Sequence, residues 1–183
     1  MSDVALVVID MLNTYEHEDA EKLMQSVREV VPTMSDLIGR AQEREALIVY
    51  VNDNYGDWSL SRHELAERAL AGADRSLVEP VLPPPQAAFV MKARHSIFYE
   101  TPLDYLLRSE GAERVVLVGQ VTEQCVLYSA LDGYVRHYSI VVPADAVAHI
   151  HPHLAEAALR MMEMNMRARV CSAGELFRSE DGG

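Results

Sequence analysis

The feature that most constrains this chain is a set of short apolar runs with no polar residue on either face. Val4-Ala5-Leu6-Val7-Val8-Ile9 and Val115-Val116-Leu117-Val118 are the clearest, and both are rich in β-branched side chains. A strand with one wet face alternates polar and apolar residues, so a run without alternation predicts a strand covered on both faces. The first run stops at Asp10 and the second at Gly119. Further runs at residues 46–51, 87–91, 139–142 and 168–171 bring the expected strands to six.

Between the strands, apolar residues recur at helical spacing. Leu23, Val27, Val30, Val31, Met34, Leu37, Ile38 and Ala41 predict an amphipathic helix over residues 18–44, which Pro32 is expected to divide or kink. Shorter helices are expected over 61–73, over 101–109 with Thr101 as N-cap and Pro102 in the first turn, over 125–137 and over 153–165. Pro80 and Pro83-Pro84-Pro85 form a stiff connection within the domain. Alternating strands and helices build βαβ units with parallel pairing and right-handed crossovers. The fold class is α/β, a three-layer α/β/α sandwich around a mostly parallel, six-stranded, doubly wound sheet. Residues 1–183 are expected to form a single domain.

Composition narrows the partners. Sixteen Lys and Arg against 28 Asp and Glu leave a net charge of −12. Nucleic acid and anionic membranes are bound through clustered basic residues, so neither is expected as a partner and a small-molecule substrate is. Two cysteines, Cys125 and Cys171, do not make a disulfide framework, and the first apolar segment is too short for a signal peptide or a span. A cytoplasmic location is expected. The run 157–166 places Leu159, Met161, Met162, Met164 and Met166 around several sides of a helix, which predicts a homo-oligomer, dimer or tetramer.

A parallel sheet opens its ligand crevice beyond the carboxyl ends of its strands. Asp10, the polar loop 52–58, Lys92 and Cys125 all fall there. Cys125 follows a strand at the mouth of an expected helix, where free N–H groups and the macrodipole favour a thiolate; its alternative role is that of a small buried hydrophobe. For Asp10 the alternatives are a site acid and a turn or cap residue, and for Trp58 a substrate wall and a loop anchor.

Three motifs stand in order: Val-Val-Ile-Asp10-Met, Met-Lys92-x-Arg-x-Ser-x-Phe, and Val-Leu-Val-Gly119-x-x-Thr122-x-x-Cys125-Val. With them the chain resembles, over nearly its whole length, the isochorismatase-like cysteine hydrolase superfamily, which includes nicotinamidases and carbamoylsarcosine amidases. The resemblance implies a triad of Asp10 as base, Lys92 as its cationic partner and Cys125 as nucleophile. It implies an oxyanion hole from the backbone N–H groups of Val121 and Cys125, and a cis peptide at Gln120–Val121. Isochorismatases proper cleave a vinyl ether and lack the cysteine, so Cys125 points to C–N hydrolysis of an amide, ureido or lactam-type bond through a thioester. Asn13, Tyr15, Asn54, Trp58 and Phe98 are the candidate pocket residues.

Nicotinamidases also bind a divalent metal through an acid and histidines after the second strand. Here that region lacks the close histidine; Asp53 and the downstream His63 are a poor ligand pair, and neither a catalytic metal nor a cofactor is expected. His149, His151 and His153 are expected to be loop and capping residues, and Cys171 structural. Two other readings stay open: a catalytically silent member of the same fold, and a peroxide-sensing thiol with Cys171 as its resolving partner.

Overall fold

The structure, a computed structural model, describes residues 3–177. Its first half runs β1 Val4–Ile9, α1 Ala20–Glu43, β2 Leu47–Asp53, α2 Arg62–Leu70 and β3 Ala88–Lys92. There follow α3 Leu103–Ser109, β4 Arg114–Gln120, α4 Leu127–Val135, β5 Ser139–Pro143, β6 Val147–Ala148, α5 Pro152–Met166 and β7 Arg169–Cys171. The sheet order is β3-β2-β1-β4-β5-β7, with parallel pairing throughout, and β6 adds to the end of β4. The sheet therefore has seven strands rather than six, since a two-residue strand has no run length to show in sequence.

Side-chain alternation sorts the sheet onto two cores. Leu6, Val8, Tyr50, Val116 and Val118 pack with α1 and α2, whereas Ala5, Val7, Ile9, Val115 and Leu117 pack with α3, α4 and α5. Both faces are covered, which is why the strand runs lack alternation. Strand order reverses direction between β1 and β4, and in a doubly wound sheet such a switch point opens the crevice. Asp10 follows one of these strands and Cys125 the other.

Pro32 does not divide α1. It costs about 3 kcal/mol, but its neighbours Val30, Val31 and Met34 are buried, each contributing about 1.5–3 kcal/mol. The third helix begins at Leu103 with Pro102, not Thr101, at the cap position; the Thr101 hydroxyl still accepts from the Leu103 N–H at 3.4 Å. Gly119 has φ +115°, and a Cβ there would lie 2.1 Å from the Ile9 carbonyl oxygen, so only glycine lets β1 and β4 approach at the crevice. Among the described residues, no helix is long and apolar enough to cross a membrane.

Candidate active site

Asp10 leaves β1 at φ 55°, a left-handed bend that Asp tolerates better than most residues, while its N–H still bonds the Val51 carbonyl at 3.0 Å. The bend turns its carboxylate across the sheet end. Oδ1 accepts from the Asp53 backbone N–H at 2.8 Å, and Oδ2 lies 2.8 Å from Lys92 Nζ. Lys92 closes β3, in register with Asp53. Its Nζ is also 3.7 Å from Asp53 Oδ2 and 3.7 Å from Cys125 Sγ. The sulfur lies against the Asp10 carboxylate and the Val121 N–H as well. Asp10, Lys92 and Cys125 thus form one buried contact cluster.

Cys125 does not sit at the first turn of an α-helix. It lies within one π-helical turn, Thr122–Val126, whose Val126 N–H bonds the Val121 carbonyl at 3.1 Å, and α4 begins only afterwards. The Gln120–Val121 peptide is cis. Gln120 braces the Asp10 bend from the other side: its Nε2 donates to the Asp10 carbonyl at 2.6 Å, and its Oε1 accepts from the Tyr15 hydroxyl at 3.3 Å. Asn52 completes the brace, accepting from the Leu12 N–H at 2.9 Å and donating to the Leu12 carbonyl at 3.2 Å.

Burial lifts the Asp10 carboxyl above its ordinary range, although Lys92 opposes the shift. Burial also works against the Lys92 ammonium, but Asp10, then the sulfur and Asp53, outweigh it and hold the lysine above its usual value. For Cys125, burial and then the Asp10 carboxylate push the thiol up to about 12, against the pull of Lys92. The sulfur faces a carboxylate as well as an ammonium in a buried turn, so burial and the carboxylate work against the thiolate while the ammonium favours it.

The candidate pocket residues divide. Asn13 Oδ1 accepts from the Tyr15 N–H at 2.7 Å, so Asn13 and Tyr15 shape the loop after β1. Asn54 is buried near Lys92, whose carbonyl accepts its N–H at 2.9 Å; its Nδ2 has no hydrogen-bond partner among the described residues. Trp58 is 82% exposed and walls nothing among the described residues. Phe98 is core: it stacks on Tyr138 at 5.8 Å, because the segment after Lys92 turns it under α4.

The residues that a metal would need do not fit one. Asp53 faces Lys92, and His63 projects from α2 toward Glu67 at 3.2 Å with 83% of its side chain exposed. His149 Nδ1 pairs with Ser26 Oγ at 3.0 Å, and His151 occupies the N-cap position of α5. No group of three or more His, Cys, Asp or Glu among the described residues is placed to hold an ion.

One site residue was not legible beforehand. His95 Nδ1 lies 3.6 Å from Cys125 Sγ, on the exposed side of the sulfur. Position 95 is an open position in the Lys92 motif; the only available signal was its place three residues after Lys92.

An α/β domain carrying a cysteine, a lysine and an aspartate at its switch point defines a class, and the whole-chain comparisons name it. Residues 4–175 match the isochorismatase domain model, and the chain belongs to that family. It is 31% identical over 176 residues to an uncharacterized isochorismatase family protein, YaaI, of Bacillus subtilis, covering 96% of this chain and 97% of that one. It is 41% identical over 105 residues to the ureidoacrylate amidohydrolase RutB of Methylorubrum extorquens, covering 56% of this chain but only 42% of that relative. Among solved structures, N-carbamoylsarcosine amidase from Thermoplasma acidophilum superposes with a TM-score of 0.71 at 28% identity, covering 93% of this chain and 96% of that one.

Proposed function

We propose that the protein is a cysteine amidohydrolase that cleaves a C–N bond of a small amide, ureido or lactam-type molecule through a thioester. The observation that carries this is the Asp10–Lys92–Cys125 cluster, with its 2.8 Å ion pair and 3.7 Å ammonium–sulfur contact. The names of the relatives, an ureidoacrylate amidohydrolase and an N-carbamoylsarcosine amidase, support the substrate class.

With the thiol held up to about 12, the proton leaves as the sulfur attacks rather than beforehand. Asp10 takes that proton while Sγ bonds the carbonyl carbon. Backbone N–H groups of Val121 and Cys125 stabilise the oxyanion. Asp10 then protonates the leaving nitrogen, the C–N bond breaks, and an amine or ammonia departs from the thioester. Water gives a proton to Asp10 and adds to the same carbon; the C–S bond breaks and the sulfur regains its proton. Lys92 holds Asp10 in place and offsets its charge throughout.

Two features weigh against a peroxide sensor. Sensor thiols are low in pKa and accessible, whereas Cys125 is buried and raised. Cys171 packs with the α1 face and Cys125 with the opposite one, so the sheet separates them.

The test is ammonia release from a panel of small primary amides, ureido acids and lactams, with Cys125→Ala beside the wild type. Turnover of any member that disappears in the variant supports the proposal. Turnover that survives Cys125→Ala refutes it.

A further inference from the structure

Two groups able to accept a proton face the sulfur of Cys125. One is the buried Asp10 carboxylate; the other is His95 Nδ1 at 3.6 Å. His95 is not a stray surface side chain. Ser96 donates from its hydroxyl to Asp132, and the Ile97 N–H bonds the Ser129 hydroxyl at 3.1 Å, so the two residues after His95 are tied to α4. The imidazole rests against Tyr128 with ring centroids 5.4 Å apart. Ser129 in turn donates to the Cys125 carbonyl, so one hydroxyl links the His95 segment to the turn that carries the sulfur.

We propose that His95 is a second general base for the acylation half of the reaction, taking the thiol proton through Nδ1. The role of His95 rests on the amidohydrolase reading for its substrate step but not for its effect on the thiol. As Sγ bonds the carbonyl carbon, the S–H proton passes to neutral Nδ1 and forms an imidazolium. That imidazolium then protonates the departing nitrogen as the C–N bond breaks, and the imidazole returns neutral. Proton and charge balance by this route as they do by the one through Asp10, and when His95 takes the proton Asp10 stays ionised for the incoming water. The physical advantage lies in placement. A charge formed on His95 stands at the exposed rim, where water solvates it, and its partner across the sulfur is the Asp10–Lys92 pair. The groups facing the imidazole are the Cys125 thiol, Lys92 and Asp10 behind it, and Tyr128 of α4; its neighbour Arg94 is exposed.

Alkylation of Cys125 by iodoacetamide, followed by mass spectrometry, tests this without any substrate. His95→Gln keeps a polar side chain but removes the base. It should alkylate at least about tenfold more slowly than the wild type at neutral pH. In His95→Ala, added imidazole should restore the rate, which a purely structural role would not allow. An unchanged rate in His95→Gln, or no rescue of His95→Ala, overturns the proposal. Because alkylation needs no amide, failure here leaves the amidase test standing, and an inactive substrate panel leaves this one standing.

Discussion

Lys92→Met removes the cation from the buried cluster and keeps the length of the aliphatic stem. Its effect can be worked from the geometry. Asp10 Oδ2 lies 2.8 Å from Nζ, with side-chain exposures of 1% for Lys92 and 11% for Asp10. Removing one partner of such a pair leaves an uncompensated buried charge, at a cost of about 3–5 kcal/mol. Asp53, at 3.7 Å and 31% exposed, adds little because water screens it. The sign of the pH dependence follows from linkage. Asp10 is already raised above its ordinary value in the unfolded chain, and without Lys92 burial raises it further. The folded variant then binds more protons than the unfolded chain between that unfolded value and the raised one. Its stability therefore falls as pH rises through this window and levels off above it. Urea denaturation of variant and wild type should show the full deficit at about pH 8 and a smaller one at about pH 4.5. A deficit below about 1 kcal/mol at the higher pH, or one equal at both, would refute the assignment of Lys92 as the buried counter-ion.

Three further outcomes are expected. Because Asp10 must be ionised to act as a base and its pKa is raised, the acid limb of kcat/KM should fall above the ordinary carboxylate range. Asp10→Asn should lower kcat by about 10²–10⁴; steady-state pH profiles check both. Gly119→Ala should fail to fold or melt far below the wild type, since the new Cβ meets the Ile9 carbonyl at 2.1 Å and φ is +115°; circular dichroism on heating decides it. Exposed Tyr128, Leu131 and Val135 on α4, with Leu154, Met161 and Met164 on α5, should be covered by a second copy of the chain. Sedimentation as a 20.4 kDa monomer at micromolar concentration would contradict that.

Local chemistry alone determined a good deal. Strand runs such as Val4–Ile9 lack alternation because both faces are covered, and that property is written in adjacent residues. Helix spacing exposed α1 for the same reason, and the polar residues ending each strand marked the side of the sheet where a ligand would bind. The seven-residue turn from Gly119 to Cys125 was visible as chemistry but not as shape. Whether it opens as an α-helix or a π turn depends on which carbonyl each N–H reaches, a matter of fractions of an ångström set by packing.

Tertiary structure decided the rest, because it concerns distance and dielectric between residues far apart in the chain. The helix mouth looked like the feature that would favour a Cys125 thiolate; folding placed Asp10 against the same sulfur and buried both, and these push the thiol up against the pull of Lys92. Phe98 and Trp58 carry similar aromatic surface and both lie in loops after strands, yet one is core and the other 82% exposed. His95 gave no signal of its own. It meets Cys125 only because two hydrogen bonds to α4 turn its segment over a residue 30 positions away.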